Sequence, residues 1–168
     1  MKILKTLVLV LTILFACILW FTGNQTLKSQ SAFALEPNNY WYWLMHASIF
    51  FTFALDAYTD RRLWSSLVSF FVLGIVAFDM YEFPVLHNVM TGAMIVLAIG
   101  NVVYYATDKE RLFAVVNCSI GALLFLLGFF SAIHLFWAEV IIELCLGVAI
   151  ARRIWRKNDD ENVQFFKK

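Results

Sequence analysis

Six long stretches of this 168-residue chain are apolar on every side and almost free of charge. They run approximately Ile3 to Phe21, Tyr42 to Tyr58, Leu63 to Met80, Val85 to Ala106, Leu112 to Phe130 and Ile133 to Ile154. Hydrocarbon about 30 Å thick needs roughly 20 apolar residues in a helix, and each stretch comes close to that length. Their apolar character does not alternate, which excludes a transmembrane barrel with its period of two. Helices then remain as the way to satisfy backbone groups in lipid. Composition agrees: 62% of residues are hydrophobic and 15% charged, against roughly half and a quarter in a soluble domain. A soluble enzyme, a disordered chain and a collagen-like fibre are all excluded. A net charge of +1 offers none of the cation surplus of a typical nucleic-acid binder.

The expected fold is all-α, an integral membrane bundle of six transmembrane helices over residues 1–156, followed by a polar cytoplasmic tail over residues 157–168. With the N-terminus inside, every one of the 13 Lys and Arg residues except Lys28 falls on the inner side, as the positive-inside rule requires. An odd number of helices could not put both Lys2 and Lys5 and the C-terminal cluster there. Trp20, Trp41, Tyr81 and Trp137 then lie near the outer interface and Tyr58, Trp64, Tyr104 and Trp155 near the inner one, where amphipathic rings are favoured. Both termini are expected in the cytoplasm, and the economy of loops suits a bacterial inner membrane. A second reading takes residues 1–34 as a secretory signal, with Ala32-Phe33-Ala34 as a small-residue cleavage site. Cleavage would leave five helices and an external N-terminus. The longest loop, from about Thr22 to Trp41, is polar and has room for a re-entrant or surface segment.

Ionisable groups inside a membrane are costly and so begin as functional candidates. Even-numbered helices run inward, which brings His46, Asp79, Glu82, His87, His134 and Glu139 into one outer-leaflet polar layer. Glu143 is an intramembrane acid one helical turn below Glu139, on the same face. No basic residue is expected at that depth, so at least one of the two acids should hold a proton or a cation. His46, His87 and His134 are the candidate metal ligands. Zinc is the metal they would suit, and Asp79 or Glu139 would be the candidate catalytic base for a bound water. This convergence is in depth only, and no short-spaced pair such as His-x-x-x-His is present. Asp56 is expected to pair with Arg61 or Arg62. Asn101 and Asn117 are expected to bond across helices, and the glycines of the spans to allow close helix packing. Cys17, Cys118 and Cys145 lie within spans and suggest no disulfide framework. No phosphate loop, nucleophile elbow, dinucleotide fingerprint or haem-attachment motif occurs.

The stretch Phe78-Asp79-Met80-Tyr81-Glu82-Phe83-Pro84-Val85-Leu86-His87 leads into Thr91-Gly92-Ala93, Gly100 and Tyr104. An acid near Pro, a His opening the next helix, small residues and a terminal Tyr together resemble the DRAM/Frag/Sfk group of six-helix membrane proteins and its prokaryotic relatives. Glu139 is similar to an acidic position in that group's last helix. The resemblance spans the last four helices and implies a role in sensing, distributing or remodelling membrane lipid. Histidines with an Asp on membrane helices also bear a fainter resemblance to alkaline-ceramidase-like hydrolases, which cleave lipid amides with zinc.

The function expected first is that of a non-enzymatic, lipid-interacting or accessory membrane protein. Its partners would be membrane lipid and other membrane subunits, with no nucleic acid and no required cofactor. A membrane-embedded, metal-dependent lipid hydrolase is the alternative. A small proton-coupled carrier using Glu139 and Glu143 comes third, since neither an inverted repeat nor broken helices are evident.

Overall fold

The computed structural model describes residues 2–23, 29–35, 40–78, 81–130 and 134–165, with backbone alone for 31, 35, 109 and 156–165. Six α-helices occur among them: α1 (Lys2–Thr22), α2 (Tyr40–Asp60), α3 (Leu63–Ala77), α4 (Pro84–Tyr104), α5 (Asp108–Phe129) and α6 (Leu135–Phe165). A 3-10 segment, η1 (Gln30–Leu35), lies between α1 and α2. No strand is found among the described residues. The all-helical class expected from the apolar runs is what the chain forms.

Among the described residues, three helices are long and apolar enough to cross a membrane: α1, α4 and Glu110–Phe129 of α5. At 1.5 Å per residue, the 21 residues of α1 rise about 31 Å, close to the thickness of bilayer hydrocarbon. Helix α3 is apolar but has only 15 residues. It stops at Ala77, where Phe78 leaves helical geometry and donates its N–H to the Gly74 carbonyl. The other boundaries also follow local chemistry. Pro84 opens α4 at a position where a missing N–H costs nothing. Asp108 and Glu110 sit in the first turn of α5, where negative charge is favoured. The turn after α2 places Arg61 at φ 53°. Helix α6 has 31 residues and reaches Phe165, so residues 157–165 of the segment expected as a polar tail continue this helix.

Contacts make consecutive helices antiparallel. Lys5 at the start of α1 meets Asp56 and Asp60 at the end of α2. Ser65 at the start of α3 meets Asp56 and the Asn101 near the end of α4. Arg153, late in α6, joins them. The bundle therefore has an Asp56 end and, opposite it, an end marked by Trp20, Phe33, His46, His87 and Phe136. The core runs between the two ends through side chains such as Leu19, Met45, Val68, Val72 and Val102, all essentially buried.

The α5–α6 hairpin is the closest helix pair. A Cβ built on Gly128 would stand 2.5 Å from that of Ala138, and one on Gly121 3.1 Å from that of Cys145. At Gly128 only hydrogen fits, and at Gly121 a methyl would be tight against the Cys145 and Ile142 side chains; small residues let membrane helices approach closely. Asn117 Nδ2 donates to the Cys145 carbonyl across the same interface. Gly92 does not fit this reading. A Cβ there would meet nothing within 4 Å, so it allows no close helix approach. Cys17, Cys118 and Cys145 are free.

Candidate functional site

At the Asp56 end, polar residues form a closed network. Asp56 is 2% exposed. It accepts from Arg153 at 2.9 Å, Arg62 at 3.0 Å, Lys5 at 3.3 Å and Ser65 Oγ at 2.7 Å. Asn101 donates to Ser65 Oγ at 2.6 Å and accepts from Arg153 at 3.1 Å. Arg62 also lies 4.8 Å from the centroid of Tyr105. A buried charge must be paired and hydrogen-bonded to be tolerated, and Asp56 is both. Of the two arginines expected as its partners, Arg62 pairs, whereas Arg61 is exposed in the turn. This network ties α1, α2, α3, α4 and α6 together.

The opposite half holds a cavity of about 380 Å³, inside the usual range of small-molecule sites. Most of its wall is apolar, with residues such as Ile49, Phe53, Ile95, Phe125 and Ile142. Its polar wall contains His46, His87, Glu139 and Glu143. His46 comes from the second turn of α2, and its Nδ1 donates to the Tyr42 carbonyl at 3.0 Å. His87 comes from the first turn of α4, and its Nδ1 donates to the Phe78 carbonyl at 2.8 Å. A carbonyl only accepts, so Nδ1 carries the proton in both rings. Their side chains are 7% and 3% exposed. Glu139 and Glu143 stand one turn apart on α6 and face the same space.

Segment η1 closes this end. The Gln30 backbone N–H donates to Glu139 Oε2 at 2.6 Å, and Gln30 Nε2 donates to Glu143 Oε2 at 3.3 Å. Phe33 is fully buried, 5.3 Å from the Phe136 ring and against Gly23. The Ala32-Phe33-Ala34 sequence is thus part of the core. Gln30 is the residue that sequence reasoning missed. A polar residue followed by the apolar run Ala-Phe-Ala-Leu inside a polar loop was the available signal.

The rim lies at Asn88, Gly92 and Phe129, which line the cavity and are exposed. Helices α4 and α5 pack only lightly against one another, so the cavity opens sideways between them. The open space at Gly92 belongs to this mouth.

The polar layer expected from sequence is therefore divided. His46, His87 and Glu139 meet in one cavity, joined by Glu143. His134 stands outside it, exposed, with its ring edge-on to Trp20 at 5.2 Å. Glu82 is exposed in the turn before α4 and does not line the cavity. Asp79 lies outside the described residues. Among those described, no three His, Cys, Asp or Glu side chains come together to hold a metal ion. The zinc set of His46, His87 and His134 is not assembled, because His134 turns to the aromatic cluster of Trp20, Phe136 and Trp137.

No protein-family model matches the chain, and no curated protein or solved structure matches it either. The fold and the site stand on their own geometry.

Proposed function

We propose that this chain is a multi-pass membrane protein that admits a lipid-like amphiphile sideways into the cavity between α4 and α5. All six helices cross the bilayer in this reading, with both termini in the cytoplasm and the cavity in the outer half, as in a bacterial inner membrane. The charge asymmetry of the loops supports the orientation. Outward-facing Leu112, Ile120, Leu123 and Phe129 of α5 are exposed, as a lipid-facing surface would be. The chain acts by binding rather than by catalysis, alone or as an accessory to other membrane subunits.

One observation carries this reading: an apolar cavity with a polar end has its exposed rim at Asn88, Gly92 and Phe129 of α4 and α5, faces that this reading sets against lipid. A solute carried in water would need a mouth at a helix end, and η1 covers that end.

Native mass spectrometry of the gently extracted chain tests the proposal. The expected result is one retained amphiphile per chain, lost in Gly92→Trp, whose indole would fill the mouth. A bare wild-type chain, or an adduct unaffected by Gly92→Trp, would overturn it.

A further inference from the structure

Resting on that reading of the cavity, we infer that the bound amphiphile has a single alkyl chain and a protonated primary amine as its head. Four groups at the polar end define what the head must offer. Glu139 and Glu143 each have one oxygen held by Gln30, and the other oxygen has no partner among the described residues. His46 and His87 donate through Nδ1, and Nε2 of each has no partner among the described residues. Both rings are more than nine-tenths buried, and neither pairs with a carboxylate among the described residues. In a neutral ring whose Nδ1 carries the proton, Nε2 is an acceptor. The polar end thus presents acceptors from three helices, and its two neighbouring acids have no counter-charge among the described residues, so together they favour a proton or a cation between them.

Among the described residues, no Lys or Arg lines the cavity. A phosphate or carboxylate head would face like charge without a counter-charge. A hydroxyl head has one proton to donate and no charge to offer. A primary ammonium has three N–H donors, no acceptor and the opposite charge, and its bonds to carboxylates are the strong, charge-assisted kind. Of the other hydroxyls in the lining, Thr12 bonds to Val8 and Ser48 and Thr52 to the Ser48 carbonyl, while Thr91 Oγ1 is buried without a hydrogen-bond partner among the described residues. A bare metal ion fits less well, since no three ligands converge among the described residues and most of the wall is apolar. The volume of about 380 Å³ is at the small end of ligand sites, which suits one chain rather than two, and the mouth at Gly92 lets its tail lie toward lipid.

The test compares dodecylamine, dodecan-1-ol and dodecanoate on the full-length chain in a non-ionic detergent, with binding followed by native mass spectrometry and by thermal stabilisation. Dodecylamine is expected to bind one per chain, at least tenfold tighter than the other two. The double substitution Glu139→Gln with Glu143→Gln should bring the amine down to the level of the alcohol measured on the same variant. Should the doubly substituted chain fail to fold, Glu143→Gln alone is read instead and should lower the amine preference severalfold. Equal or tighter binding of dodecanoate, or an amine preference that survives these substitutions, would overturn the inference about the head while leaving the cavity as an amphiphile site. Binding of none of the three would overturn both.

Discussion

Arg61 is held at φ 53°, in the left-handed region that costs an ordinary L-residue roughly 1–2 kcal/mol. Its side chain is exposed, so nothing visible in the bundle repays that cost at Arg61 itself. The benefit falls to its neighbour, since the turn aims the Arg62 guanidinium back at Asp56. Arg61→Gly should therefore raise stability by about 0.5–1 kcal/mol, the relief of strain less the larger entropy glycine loses, seen as a higher midpoint in thermal unfolding in detergent. Asp56 behaves in the opposite way. Asp56→Asn strands Lys5, Arg62 and Arg153 with less counter-charge and should cost about 3–5 kcal/mol. Adding Arg153→Met should recover part of the loss, measured as a coupling in a double-mutant cycle. Only some of this was legible in the sequence. Arg62 lies six residues from Asp56, whereas Lys5 and Arg153 lie 51 and 97 residues away. Spacing along a helix and its turn reveals the first partner. Tertiary packing alone brings the other two.

At the scale of elements, apolar runs locate the helices but not their ends. The early end of α3 depends on the turn before α4, where the Phe78 carbonyl is taken by His87, and no periodicity encodes that bond. Segment η1 is the sharper case. Its Gln30 reaches acids 109 and 113 residues later, so from sequence it was only polar loop. The structure makes η1 a core element, because Phe33 is fully buried among Phe136 and neighbouring rings. Phe33→Ala should then cost about 3–5 kcal/mol, as expected of a large buried aromatic. A loss below about 1 kcal/mol in chemical or thermal unfolding would mean that η1 is a surface loop. The same reasoning explains why the outer polar layer split. Depth along each helix was readable in the sequence, and His46, His87 and Glu139 line one cavity. Rotation about the helix axis was not, and it decided that His134 faces Trp20 instead of the cavity.

For the whole molecule, the two ends divide the work. The Asp56 end locks α1, α2, α3, α4 and α6 through one buried carboxylate, and the His46 end keeps a space open between α4 and α5. The ion-pair network and the cavity thus occupy opposite halves of the bundle, and α5 takes no part in the network's hydrogen bonds among the described residues. The proposed orientation puts the network at the cytoplasmic face, where its cations belong, and the cavity in the outer half. That placement can be checked with single cysteines and a membrane-impermeant maleimide on intact cells. Glu82 and Thr107 are both exposed, in the turns before α4 and α5, at opposite ends of α4. Glu82→Cys should label in intact cells, and Thr107→Cys only after the membrane is opened. The native cysteines, within the helices, give the background in the unsubstituted chain. Labelling in the reverse order would invert the bundle and move the cavity to the cytoplasmic leaflet. Labelling of both positions in intact cells would mean that α4 does not cross, and the sideways entry of lipid at Gly92 would then lose its basis.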